Sequence, residues 1–264
     1  MPSELALRVA GVALVAASWV SGALFAGYIL IFYLGAPGRG TMEGWNRTLP
    51  KLYEAGHHGA TVAIGAHFAA GAMLLLLGPV QLIRPVRERF HTAHRWIGRV
   101  YVVAAALAGL GGLGFVLSKG TIGGPVMSFG FGLYGTLMVL AAAQTWRFGA
   151  ARALERHRAW GIRLVPLVVG SWLYRMEYGF WMPLTHGLGS NADFTGPFDR
   201  VMAFFYVPNL LLAEAFTRER RAGTPAGRWA AAGVLTLATA VTLLGTWYFT
   251  TGYWLPGITG AANR

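Results

Sequence analysis

Two arginine-rich stretches hold most of the side chains in this chain that could do acid–base or ligand chemistry. RPVRERFHTAHRWIGRVY starts at Arg84, and WRFGAARALERHRAWGIRL starts at Trp146. Each sets a histidine beside an arginine, His94–Arg95 and His157–Arg158. Imidazoles at one depth on neighbouring helices can hold haem b as axial ligands. His94 and His157 are therefore the candidate haem pair, and His67 is the candidate from deeper in the chain. The arginines around them suit a different ligand. Arg84, Arg89, Arg95, Arg99, Arg147, Arg152, Arg158 and Arg163 form two cationic knots, and such knots attract anionic head groups at a membrane surface. The plainest alternative is that they set topology, with their stems snorkelling to the interface.

The elements that position these residues are membrane helices. The chain of 264 residues is 55% hydrophobic and 12% charged, too few charges to cover a soluble domain of this size. Apolar runs approach the roughly 20 residues that cross a bilayer. The expected fold is all-α and polytopic, one transmembrane domain over residues 1–264 with seven spans. These cover residues 9–34, 61–83, 96–117, 125–146, 160–182, 201–216 and 229–249. The sixth is the weakest, interrupted by Pro208, Asn209 and Glu214. The first is expected to stay as a helix, because its apolar run outlasts a signal-peptide core. With no cysteine there is no disulfide, thiolate metal site or iron–sulfur cluster.

The net charge of +12 is carried mainly by arginine. It reads as topology rather than nucleic-acid binding, since basic residues mark cytoplasmic loops. Both knots and the run from Arg218 to Arg228 fall on one side when the N-terminus is cytoplasmic and the C-terminus outside. Two longer outer segments follow from this, residues 35–60 and 183–200. Trp45 and Tyr53 are expected to anchor the first at the interface, and Thr48 completes a glycosylation sequon there.

The knots match each other at a shift of 63 residues. Gln81 falls on Gln144, Arg84 on Arg147, Arg89 on Arg152, His94–Arg95 on His157–Arg158 and Gly98 on Gly161. This predicts two parallel-repeat hairpins, residues 61–117 and 125–182, packed as an antiparallel four-helix bundle. Gly71, Ala72, Gly109, Gly111, Gly112, Gly132 and Gly135 are expected to let the helices approach closely.

Ionisable residues inside the membrane are the second set of candidates. Arg175 and Glu177 lie in the outer half of the fifth span, two residues apart and so on different helix faces. His67 is the expected partner of Glu177. Asp199 or an outer phosphate is the expected partner of Arg175, with snorkelling to the interface as the alternative. Glu214 is expected to pair with an arginine of a knot. Trp172, Tyr174, Tyr178, Trp181, Phe204, Phe205 and Tyr206 form an aromatic stripe suited to lipid, a protein neighbour, a pigment or a quinone. No enzyme motif is present.

The blocks HFAAGAMLLLLGPVQL, RERFHTAHRWIGRVYV, ERHRAWGIRLVPLV and FYVPNLLLAEAF resemble, in order and spacing, the bacterial predicted membrane protein family called domain of unknown function 2306. The family-like core is residues 61–217. Gly161 stands where the family usually has methionine. The resemblance implies a helical bundle in a bacterial inner membrane and implies no activity. The leading expectation is a non-catalytic membrane subunit that binds lipid or packs against a larger membrane complex, or both, the complex being respiratory or photosynthetic. A haem- or quinone-linked redox protein and a small-solute transporter are the alternatives.

Overall fold

The computed structural model describes residues 2–47 and 51–262, so the sequon residue Thr48 lies outside the described residues. All regular structure among them is helical. Helix α1 (Pro2–Tyr28) runs through a π-helical turn, Ile29–Leu34, into α2 (Ala36–Arg39). The membrane-length helices α3 (His58–Leu82), α5 (His91–Lys119) and α6 (Gly124–Ala150) follow, with the short α4 (Arg84–Arg89) between the first two. Then come α7 (Leu154–Val168), α8 (Gly170–Thr185), α9 (Pro197–Met202) and α10 (Tyr206–Ala222). Helix α11 (Pro225–Phe249) passes through a second π-helical turn, Thr250–Trp254, into α12 (Leu255–Ala262).

Among the described residues, five segments are long and apolar enough to cross a membrane: Pro2–Arg39, His58–Gln81, His91–Lys119, Gly124–Ala150 and Pro225–Gly260. The expected fifth and sixth spans fall short of that standard for visible reasons. The fifth is divided at Val169 into α7 and α8. Pro166 lacks the N–H that would continue the α7 ladder. Gly170 admits rings where a side chain would stand: a Cβ there would lie 2.9 Å from Phe205 and 3.1 Å from Tyr134. The Tyr134 hydroxyl donates to the Leu167 carbonyl beside the break, supplying a partner for backbone that water cannot reach. The sixth, α10, has 17 residues and carries Glu214 and Arg218.

Helices α3, α5, α6 and α7 pack in sequence, and α3 also touches α7. Helices α1 and α11 run parallel along one side. Glu4 and Arg228 pair at 2.9 Å where the two begin, and the Phe25 and Trp254 rings meet at 5.3 Å near their far ends. Exposed Trp96, Trp146 and Trp229 lie near one set of helix ends, and exposed Trp247 and Tyr253 near the other, as interfacial belts require.

Glycine does part of the packing, at some of the expected places. A Cβ at Gly109 would sit 3.0 Å from the Gly135 carbonyl on α6, and one at Gly135 would sit 3.2 Å from the Gly109 carbonyl. Gly111 and Gly112 lie against His67 of α3, and Ala72 is buried. Gly71 and Gly132 meet nothing within 4 Å and serve no close contact. Gly130, the position matching His67 at the 63-residue shift, is pressed against the Ala203 backbone.

Candidate functional site

A small polar cavity lies between the end of α1, the middle of α3 and the α7–α8 break. Phe25, Tyr33, His67, Phe68, Ser171 and Arg175 line it, and Gly71 leaves one wall open. Its volume is about 20 Å³, room for about one water-sized group. Local sequence explains how each side chain arrives. Tyr33 is carried inward on the π-helical turn, an irregularity that often marks functional sites. Arg39 folds back over Gly35 and donates to the Ile31 carbonyl at 2.7 Å, which satisfies backbone at that turn. His67 Nδ1 lies 2.8 Å from the Ala108 carbonyl; a carbonyl only accepts, so Nδ1 carries a proton and the ring is held across the α3–α5 crossing. Arg175 donates to the Ser171 carbonyl at 2.9 Å, and its guanidinium stands 5.1 Å from the Phe25 ring centre.

These contacts revise the expected partnerships. The i−4 bond to Ser171 turns Arg175 back toward the start of α8, deeper into the bundle and away from the surface end at Thr185. It therefore does not snorkel outward. It does not meet Asp199, whose carboxylate is already saturated. Glu177 does not meet His67: the imidazole is held by Ala108, and Glu177 Oε2 is buried without a hydrogen-bond partner among the described residues. Glu214 does pair with a knot arginine, lying 3.1 Å from Arg163.

The knots lie around the α4–α5 and α6–α7 junctions, with most of their arginines outward. Arg89, Arg95, Arg99, Arg147, Arg152 and Arg158 are exposed, and the side chain of Arg84 lies outside the described residues. Aromatic rings support several of the cations. Arg99 stacks on Trp96 at 4.9 Å, Arg147 and Arg156 both reach Phe148 at 5.6 Å, and Arg163 reaches Trp160 at 5.6 Å. His157 donates from Nδ1 to the Thr145 carbonyl at 2.9 Å, tying α7 to α6. The ring presses on Gly149, where a Cβ would lie 3.0 Å from Nδ1. His94 is half-buried at the start of α5. The described residues contain no group of three or more His, Asp or Glu placed to hold a metal ion.

At the opposite end, Asp199 is 0% exposed and accepts four hydrogen bonds. Oδ1 takes the Tyr178 and Ser190 hydroxyls, each at 2.7 Å, and Oδ2 takes the N–H groups of Gly196 at 2.9 Å and Asn191 at 3.3 Å. Lys119 pins the segment before α3, 2.9 Å from Glu54 and 3.0 Å from the Lys51 carbonyl. The Lys119 hydrogen bond holds the Glu54 carboxyl below its ordinary range. Trp45, expected at the interface, is instead 2% exposed and plugged against Tyr33 and Phe68. The aromatic stripe also turns inward. Trp172, Tyr178, Phe205 and Tyr206 are buried, the last three against neighbouring rings and Trp172 through its indole N–H on Ser21 at 3.1 Å, whereas Tyr174, Trp181 and Phe204 are only half-buried.

One family model, that of a predicted membrane protein, matches residues 64–217, which take in the four sequence blocks. The chain belongs to the predicted membrane protein family DUF2306. No curated protein and no solved structure matches it. The DUF2306 region takes in His67, both knots, Arg175, Asp199 and Glu214, whereas Tyr33 and Phe25 lie before it. The cavity is thus built jointly by the family region and the N-terminal helix. Sequence reasoning found His67 and Arg175 but missed Tyr33 and Ser171, which carry no motif. The Tyr178–Asp199 pair was readable only as two separate polar residues.

Proposed function

We propose that this DUF2306 protein is a non-catalytic bacterial inner-membrane protein that holds anionic lipid head groups on its two arginine knots, and that its lipid shell seats it among other membrane subunits. The observation behind this reading is the set of arginines backed by aromatic rings at one end of the bundle, Arg99 on Trp96 and Arg147 and Arg156 on Phe148. Arg95 and Arg156 stand near the starts of α5 and α7, where a cation opposes the helix dipole, so an anion is the favoured neighbour. An arginine near an anionic surface contributes about 1 kcal/mol. Replacing Arg95 and Arg99 together with glutamine is expected to weaken retention of phosphatidylglycerol by about thirty-fold. Phosphatidylcholine retention should not change. Native mass spectrometry of the purified protein reads both, and equal retention of the two lipids by the parent would sink the proposal.

The topology we propose has seven crossings, with the N-terminus cytoplasmic and the C-terminus outside. α7 and α8 together form the fifth crossing and α10 the sixth. The hairpins α3–α5 and α6–α7 are a parallel repeat. Two observations support the repeat: Gln81 Nε2 and Gln144 Oε1 are both buried without partners at matching positions, and each hairpin starts its second long helix at a His-Arg pair. The chain has no cysteine, so single cysteines report cleanly. A membrane-impermeant maleimide added to intact cells is expected to label Ser118→Cys and Ala192→Cys. Thr92→Cys and Ala151→Cys should label only after lysis. Labelling of Ala192→Cys only after lysis would contradict the α7–α10 crossings.

One geometric feature favours a second reading. His157 and His67 each direct Nδ1 to a backbone carbonyl, which is how ligating imidazoles are commonly oriented, leaving Nε2 for haem b. The absorbance of the same purified sample decides this reading: a reduced haem band lost in His157→Ala supports it, and no band in the parent ends it.

A further inference from the structure

The cavity at the α7–α8 break has three features that point to one kind of ligand. The first is a charge without a counter-charge. Among the described residues, no carboxylate lies within 4 Å of the Arg175 nitrogens; Glu177 sits on another face of α8 and Asp199 is saturated. Cations at membrane depth are kept paired or functional. The second is a donor without an acceptor. Tyr33 is 0% exposed, it lines the cavity, and its hydroxyl has no hydrogen-bond partner among the described residues. A buried hydroxyl left unpaired is destabilising and rare. The third is space. Gly71 leaves open room where a side chain would stand, and the cavity stays partly open to its surroundings.

We propose that this cavity binds a carboxylate group, with Arg175 as the charge partner and Tyr33 as the hydrogen-bond donor. Nitrogens of Arg175 beyond the one that donates to Ser171 form a planar fork that matches two carboxylate oxygens. The cavity takes in only the carboxylate head, and the remainder of the ligand lies outside it, past its open side. His67 closes one side, its ring direction fixed by Ala108. The carboxylate belongs either to a small soluble acid or to the head of a fatty acid entering from the bilayer. This site is separate from the arginine knots and stands without the lipid reading above.

Isothermal titration of the full chain in a neutral maltoside detergent tests the assignment, with sodium acetate and sodium octanoate as probes. Saturable binding is expected for at least one of them. Equal affinity for both identifies a soluble acid, and octanoate alone identifies a membrane amphiphile. Tyr33→Phe is expected to weaken binding about ten-fold, the effect of one hydrogen bond to a charged group. It should also raise the ligand-free unfolding temperature, because it removes a buried oxygen that lacks a partner. That rise separates it from a merely misfolded variant. Arg175→Gln is expected to abolish binding. Absence of saturable binding by the parent, a response to chloride but to neither carboxylate, or unchanged affinity in both variants overturns the proposal.

Discussion

Asp199→Ala is expected to destabilise the protein by about 3–5 kcal/mol, lowering its unfolding temperature by roughly 10 °C. The magnitude follows from what the carboxylate holds together. Tyr178 comes from α8, Ser190 and Asn191 from the connecting loop, and Gly196 from the start of α9. Removing the acceptor takes the partner from two hydroxyls and two N–H groups, and the carboxylate position between them is closed to water. Unmade hydrogen bonds of that kind cost far more than made ones contribute. Asp199→Asn keeps an oxygen for the Gly196 and Asn191 N–H groups and turns its NH₂ toward the Tyr178 and Ser190 hydroxyls, which can accept, so about half the loss is expected. Tyr178→Phe removes a single donor and should cost about 1–2 kcal/mol. Thermal unfolding in detergent should rank the three in that order. An Asp199→Ala variant within about 1 kcal/mol of the parent would refute the argument.

Asp199 also shows how far the sequence could be read. Its presence near a membrane end was visible, and pairing with Arg175 was the natural guess because opposite charges attract. The structure instead satisfies it with neutral donors brought in by a turn. Turn geometry is set by the glycines at 187, 189 and 196 and by tertiary fit, which a helical pattern does not report. Long apolar helices were legible because the bilayer imposes their length. The break at Val169 was less so: Pro166 and Gly170 are visible in the sequence, but each is tolerated in membrane helices, and the aromatic cluster that occupies the gap comes from α6 and from the Phe205 region. Tyr33 was not legible at all. Its inward aim depends on a π-helical turn, and no residue type marks such a turn.

The same distinction explains why Trp45 and the aromatic stripe moved from surface to core. Tryptophan near a predicted helix end usually anchors to the interface. Trp45 instead donates its indole N–H to the Tyr33 carbonyl at 3.1 Å, another backbone group of the π-helical turn. Irregular backbone within the bundle therefore recruits aromatic donors as partners. Tyr134 at Leu167 and Trp45 at Tyr33 serve the same purpose at the two irregular segments that flank the cavity. Aromatic donors thus supply hydrogen bonds to the irregular backbone on both sides of the cavity.

Gly111→Val is expected to cost at least as much as typical overpacking, about 1–3 kcal/mol, and to loosen the cavity as well as the fold. A Cβ at this position would lie 2.6 Å from the Ala63 carbonyl and 3.1 Å from the His67 amide nitrogen. Both are backbone atoms of α3, so no side-chain rotation relieves the clash and the helices must separate. One turn away, the His67 ring reaches the Ala108 carbonyl across the same crossing. Separation therefore also removes the contact that orients His67. Two effects oppose each other in the milder Gly111→Ala: relief of glycine's poor helix propensity gains about 1 kcal/mol, and the clash loses more. Gly71→Ala isolates the first effect, because its Cβ meets nothing within 4 Å and points into open space. It should be neutral or slightly stabilising by thermal unfolding. It should also narrow the cavity, so carboxylate binding falls while the unfolding temperature holds. Gly111→Val should lower both together. If Gly111→Val instead leaves the unfolding temperature unchanged, α3 and α5 do not cross at this glycine, and the position assigned to His67 fails with it.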